Sequence, residues 1–263
     1  MSRVGPLLSE LRRSRRMSQL DLSVLADVSS RHISFIENGR STPSRDMLLR
    51  LADVLDLPLR DSNLLLSAGG FAMSYSHNTI DAVEMQPVKE ALQLMMDSHD
   101  PYPALVMDTC WNIVMANTSQ QKIMALLPPL QQAGDNGNNQ PRNLLHMLFD
   151  SQGLRPLIEN WDELAGYLLR RLKKQVLMFN QPQVDKLYKQ LLLMDPPANW
   201  KQPPGREMEG PMITVRFRVG EVTLSLFSTI SHFGSALDVG MEEMVIESYF
   251  PADETTKAFF LAL

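Results

Sequence analysis

Between two short segments with helical apolar spacing, the chain has only three residues, Asp27-Val28-Ser29, in which to change direction. A connection that short forces the two helices to cross steeply. Ser18 is placed to cap the first, in which Leu22, Leu25 and Ala26 keep the 3.6-residue period. Ser29 caps the second, Ile33 and Ile36 face inward, and Gly39 supplies the left-handed residue that ends it. The flanks are helical too. Leu7, Leu8 and Leu11 form one stripe, Ser44 after Pro43 opens a helix with Leu48, Leu51, Ala52 and Leu55 inward, and residues 59–67 form a fifth before Gly69-Gly70. Residues 1–68 therefore read as an all-α module of five helices.

Charge sets this module apart. Residues 1–50 hold nine Arg against five Asp or Glu, a surplus of four, so the rest must carry −9 for the chain to reach its net −5. A basic module on an acidic body points to a polyanionic partner for the first part. At 263 residues the chain exceeds ordinary single-domain size. The lone Cys110 excludes an internal disulfide and fits a reducing compartment. There is no apolar signal region, and no stretch approaches the roughly 18 apolar residues of a membrane span, so a soluble, cytoplasmic protein without membrane contact is expected.

Ser18-Gln19, Leu22 to Ala26, Val28-Ser29, Ile33, Ile36-Glu37-Asn38-Gly39-Arg40, Pro43 and Ser44 together resemble the XRE family of phage-repressor-like DNA-binding domains. The resemblance implies a lambda-repressor-like helix-turn-helix (HTH) domain whose third helix lies in the major groove of a double-stranded DNA operator. It places Ser30, Arg31 and Phe35 at base edges with Ser34 beside them, and Gln19, Ser29, Asn38 and Arg40 at phosphates. Arg31 suits guanine O6 and N7, and Phe35 suits a thymine methyl, although Phe35 fits equally as a packed aromatic and Ser34 as a silent surface residue. The resemblance also pairs Arg12 with Glu37, a structural ion pair that removes a carboxylate's repulsion of phosphate. Asp27 departs from the family's usual Gly at a left-handed turn position, a conformation Asp tolerates better than most residues. One short helix reads few bases, so a homodimer on a two-fold operator is expected.

After a linker at 69–84, the pattern changes. A helix spans 85–97, then a short apolar run, a turn at Asp108 to Cys110, a second run from Trp111 to Ala116, and a helix after Asn117. QQAGDNGNNQP, residues 131–141, reads as a flexible loop; helices follow over Asn143–Phe149, Trp161–Val176 and 183–194. Period-two alternation then runs from Met212 to Ile230, with Gly220-Glu221 as the hairpin turn and a last strand at Val245–Phe250. This α+β order resembles a PAS-like sensory domain. With Pro103 to Asn117, Asn143-Leu144-Leu145, Phe149, Trp161, Arg170, Leu172, Trp200 and Pro251-Ala252, it resembles the ligand-binding half of MmyB-like XRE regulators over residues 85–263. Ser231 to Glu247 fits that pattern less closely.

That resemblance implies a small apolar, fatty-acid-like ligand and no other cofactor. The seventeen methionines suit a soft cavity, with Met107, Met115, Met147 and Met178 near its walls. Trp111, Phe149, Trp161, Tyr167 and Phe217 are further candidate wall residues, and His146 or Arg170 suits a ligand carboxylate. Each fits equally as core filler or surface. A PAS-like domain holding haem (His146 axial) or flavin, and an antitoxin that masks a protein partner, are the rival readings. The five histidines form no metal-spaced pair, and phosphate-binding glycine patterns and Gly-x-Ser-x-Gly are absent, so neither an enzyme nor a metal site is expected.

Overall fold

In the computed structural model, which describes residues 4–127, 142–178, 181–202 and 212–263, three serines open three helices. Ser18 caps α2 (Gln19–Leu25) in a reciprocal box: its hydroxyl accepts from Asp21 N at 3.0 Å, and Ser18 N donates to Asp21 Oδ2 at 2.8 Å. Ser29 caps α3 (Ser30–Glu37) through His32 N, and Ser44 caps α4 (Arg45–Val54) through Met47 N. The α2–α3 turn puts Asp27 at φ 52°, and Gly39 ends α3 at φ 68°. With α1 (Val4–Ser14) and α5 (Leu59–Ala68), these helices enclose a core of Leu8, Leu22, Ile33, Ile36, Leu48, Leu51 and Leu65. Leu25 differs from its sequence reading, standing 59% exposed, because α2 ends there and Ala26 turns inward at the cap.

On α1 the buried face runs through Val4, Leu8 and Arg12, with Leu7 and Leu11 only packed at its edge. Gly5 lets α1 sit against the end of α3, since a Cβ there would lie 2.5 Å from Glu37 O. Arg12 then reaches Glu37 in a two-pronged bond, Nε to Oε1 at 2.7 Å and Nη2 to Oε2 at 2.9 Å, while Nη1 donates to Met17 O at 2.7 Å. Both side chains are under 10% exposed. Burial pushes the Glu37 carboxyl up, but hydrogen bonds from Arg12, Gln19 and Ser9 and the Arg12 charge outweigh it and hold it below the ordinary value.

The first compact unit continues to Ala82 and includes a distant segment, Phe233–Glu242. Residues 69–82, read from sequence as linker, are bound within this unit. Asn63 Oδ1 accepts from Ser74 N and Tyr75 N, and its amide donates to Tyr75 O at 2.8 Å. Asp238 accepts from Ser76 Oγ at 2.6 Å and Asn78 Nδ2 at 2.8 Å, and Val239 N donates to Ser76 O. The short helix α11 (Val239–Glu242) follows, and Glu242 Oε2 accepts from Leu59 N at 2.8 Å, serving the start of α5 where Pro58 offers no side-chain cap. At Gly240 an added Cβ would run into Asn78 O.

The second unit, Val83–His232 with Glu243–Leu263, is α+β and PAS-like. Strands β1 (Ala104–Met107), β2 (Ile113–Ala116), β3 (Val215–Val219), β4 (Val222–Ser231) and β5 (Val245–Pro251) form one antiparallel sheet in the order β2-β1-β5-β4-β3. Strand β2 starts at Ile113, not at Trp111 as the sequence reading has it. Asp108 Oδ1 gathers Cys110 N and Asn112 N in a tight turn that drives Trp111 to φ 66°. Helices α6 (Gln86–Asp97), α7 (Thr118–Leu126), α8 (Leu144–Phe149), α9 (Trp161–Met178), α10 (Pro182–Leu191) and α12 (Glu254–Ala262) complete the unit. Buried Asn117 caps α7 and fixes its approach: Oδ1 accepts from Ala104 N and Gln120 N, and Nδ2 donates to Tyr102 O. Gly220 takes φ 60° at the β3–β4 hairpin. The 131–141 stretch lies outside the described residues. Among those described, no helix is long and apolar enough to cross a membrane.

Two outcomes test this account. Arg12→Ala leaves a buried carboxylate without its counter-charge and should cost about 3–5 kcal/mol in chemical denaturation at pH 7. Because Glu37 is depressed in the fold, its stabilisation is present above the ordinary carboxylate range and lost as pH falls through its lowered value, so the deficit should shrink on acidification. Gly240→Ala should destabilise the first unit by about 1–3 kcal/mol; an unchanged melting temperature would show that Phe233–Glu242 does not pack as described.

Candidate functional site

The outer face of α3 carries a short row of chemistry. Ser29, Ser30 and Arg31 are exposed at its N-terminal end, and the Arg31 guanidinium carbon lies 5.1 Å from the Phe35 ring centroid. That stacking lays exposed Arg31 along the helix beside Phe35, and a guanidinium fork is suited to two acceptors on one base. Phe35 and Ser34 are half-buried at the edge of the same face. At the other end Asn38 donates its amide to Ser34 O at 2.8 Å, and exposed Arg40 follows the left-handed Gly39. Gln19 stands at the start of α2, but its amide is engaged, donating to Glu37 Oε2 at 2.7 Å. The ion pair of α1 and α3 thereby also fixes the first residue of α2.

The second unit contains a cavity of about 540 Å³ between the sheet and helices α7, α8 and α9. Its walls are mostly aliphatic, among them Leu105, Ile123, Leu127, Leu148, Leu164, Leu168, Val215 and Leu224. Polar groups enter from both sides. Tyr167 and Arg171 come from α9, one helical turn apart, and Ser228, Glu247 and Tyr249 come from β4 and β5. Leu105 and Glu247 are register partners, as are Ser228 and Tyr249, so these side chains share one sheet face.

Of the nine residues sequence reading assigns to a ligand, Trp111, Tyr167 and Phe217 line this cavity. The other six do not. Met107 is buried in the adjoining core beyond a register break between Val106 and Met107. Met115 pairs with Val106, so it belongs to the opposite sheet face from Leu105. His146 lies two residues from Leu144 and Leu148, on the other side of α8. Phe149 and Trp161 pack on each other edge to face at 4.9 Å, with Arg155 over the indole. Arg170 is spent on Trp200 O and Gln202 O at 2.9 and 3.0 Å. Met147 packs against the core, and the Met178 side chain lies outside the described residues.

Arg171 is the cationic residue that sequence reading missed, and the helical period could have found it. Leu164, Leu168 and Arg171 follow i, i+4, i+7 on one face of α9, whereas Arg170 falls a hundred degrees away. Its guanidinium carbon lies 4.6 Å from the Trp111 ring centroid, and Trp111 Nε1 reaches Gln175 Oε1 at 3.4 Å. Glu247 had no sequence signal, since an acid in a strand ordinarily faces water. Here it is 6% exposed, and burial pushes its carboxyl up despite the hydrogen bond from Ser228, the positive charge of Arg171 and the hydrogen bond with Tyr249. Tyr249 is held well above its usual value by burial and by the neighbouring Glu247.

Comparison with known proteins fits both units. Residues 88–263 match the family described as MmyB-like transcription regulator ligand binding domain, and residues 8–62 match the helix-turn-helix family. Over 95 residues the chain is 38% identical to the uncharacterized HTH-type transcriptional regulator RghRB of Bacillus subtilis (strain 168), a match covering 35% of this chain and 66% of that protein. The structure of an RNA-binding light-oxygen-voltage receptor aligns with 99% of this chain and 61% of its own at 11% identity and a TM-score of 0.28, too low to carry an argument. The family's ligand-binding domain accounts for two thirds of the chain and an HTH module precedes it, so the protein belongs to the MmyB-like transcription regulators.

Proposed function

We propose that the protein is a ligand-responsive, sequence-specific DNA-binding regulator that acts as a homodimer and takes a fatty-acid-like molecule into the cavity of its second unit. The observation that carries this reading is the aliphatic cavity of about 540 Å³, a volume within the range of small-molecule sites, on a chain that also holds an HTH module. An acyl chain fits such walls because every methylene it removes from water is worth about 0.8 kcal/mol. Ser30, Arg31 and Phe35 face base edges, while Ser29, Asn38 and Arg40 hold phosphates and set the register of α3 in the groove. Two copies on half-sites about 34 Å apart supply the reading length that one helix lacks. The ligand acts by binding one of two states of the protein better than the other, and so shifts operator affinity.

Native mass spectrometry of the purified protein, followed by denaturing extraction, should release an acyl-chain compound. Adding it back should change operator affinity by at least about fivefold. A clean apo protein whose operator affinity ignores a panel of acyl chains would overturn the ligand half of the proposal. Arg31→Ala should cost about 1–3 kcal/mol at one operator position and relax preference there, whereas Arg40→Ala should weaken all sequences alike and flatten the salt dependence. Competition assays with single-base operator variants read both effects.

A further inference from the structure

The aliphatic cavity carries one cation and one acid. Among the described residues that line it, Arg171 alone has a basic side chain and Glu247 alone an acidic one; the remaining ionisable groups are Tyr167 and Tyr249. Glu247 is more than nine-tenths buried, so its charge rests on its protein neighbours and not on water. Ser228 Oγ donates to its Oε1 at 2.6 Å, the Tyr249 side chain adds a hydrogen bond, and Arg171 faces it with a positive charge. Arg171 is backed in turn by the Trp111 ring, 4.6 Å from its guanidinium carbon. The elements flanking β5 add no further charge at this end among the described residues. Strands β1 and β4 have no ionisable side chain, Glu254 and Lys257 of α12 pair with each other at the surface, and His99 meets β5 only through Tyr249 O.

Two opposite charges balance, and a third does not. A fatty-acid carboxylate entering this end meets a guanidinium already matched by Glu247, and would leave one negative charge uncompensated among aliphatic walls. Two carboxylates beside one cation do not both stay ionised, so one of them gains affinity for a proton. Glu247 suits that part because burial already pushes its carboxyl up, and because a fixed strand residue cannot follow the ligand's head into the guanidinium fork. Resting on the reading of a fatty-acid-like ligand in this cavity, we propose that the ligand's carboxylate replaces Glu247 as the counter-ion of Arg171, while Glu247 takes one proton from solvent. Arg171 holds the head through parallel N–H···O bonds, and neutral Glu247 turns from acceptor into donor toward the same head. Charge is conserved at the site: one anion and one proton enter together. Tyr249, held well above its usual value, keeps its proton throughout. Affinity for a carboxylate is therefore full below the pH at which Glu247 ionises in the free protein. It falls as pH rises from there toward the higher value Glu247 has in the complex.

The test is calorimetry on the full-length protein with monomeric decanoate and 1-decanol, in pairs of buffers of different ionisation enthalpy. The pH is stepped upward from above the ordinary carboxylate range, where decanoate itself is ionised, as far as the protein stays folded. Decanoate binding should take up protons, approaching one per ligand, and its affinity should fall by up to about tenfold per pH unit over the same interval. Decanol, with no charge to compensate, should bind without uptake and without that slope. In Glu247→Gln, which is neutral at every pH, decanoate should bind at least as tightly as in wild type with no proton uptake. In Arg171→Gln, decanoate should bind at least about tenfold more weakly, the scale of one hydrogen bond between charged groups, with decanol within about threefold of wild type. Decanoate binding to wild type without proton uptake at any pH, or uptake that persists in Glu247→Gln, would overturn the exchange while leaving the apolar cavity in place. Failure of both probes to bind would instead overturn the ligand reading on which it rests. The wild-type comparison of the two probes decides the matter even if neither variant folds.

Discussion

A carboxylate at the end of a helix that must approach phosphates is tolerable only if something removes its charge, and Arg12 does so from a neighbouring helix. The two-pronged geometry fixes the pair in orientation as well as distance, and the third guanidinium nitrogen is committed to Met17 O just ahead of α2. Gln19 adds its amide to the same carboxylate, so α1, α2 and α3 converge on one oxygen pair. The aliphatic core beneath would permit several rotations of α1, because leucines pack adequately in more than one register. A buried ion pair permits one. The Gly5 contact with Glu37 O supports the same placement from the other side, through space only a glycine leaves open.

The second unit solves a different problem. Its sheet and helices must leave an empty volume without losing their own packing. Much of the stabilising contact lies outside the cavity, in the layer of Leu145, Phe149, Ala165, Leu169, Leu172, Val184 and Leu191, and in the bonds of Asn117. Trp111 marks where the two zones meet. Its backbone is held in a left-handed turn by Asp108 and by Asn143, which donates to Cys110 O at 2.7 Å, while its ring forms cavity wall and carries Arg171. A wall residue anchored this firmly keeps the cavity open at one end whatever occupies it.

Much of this was legible in the sequence where local chemistry decides the outcome. Serine caps, the left-handed Gly39 and the Gly220 hairpin depend on residues within a turn of each other, and those elements appear where their signals lie. The family resemblance likewise rested on motifs with fixed spacing. What failed was facing. Arg170 and Arg171 are adjacent, and only the phase of α9 against the sheet separates a cavity residue from one tied to Trp200 O. Met115 was lost in the same way, by strand parity set through its pairing with Val106. Glu247 could not have been found at all, since its burial depends on β1 and β4 flanking β5.

The segment Phe233–Glu242 carries a consequence for how such proteins are assembled in evolution. It departs from β4 and returns to β5, yet it belongs to the unit of the five helices, where Asp238 holds Ser76 and Asn78 and Glu242 completes α5. The HTH module is therefore not one continuous stretch of gene. Recombination that exchanged the first 82 residues for another regulator's head would strand the clasp on a surface it does not recognise, and would leave the new head without its own. In this chain, moving the helical unit intact takes both of its stretches, residues 4–82 and Phe233–Glu242.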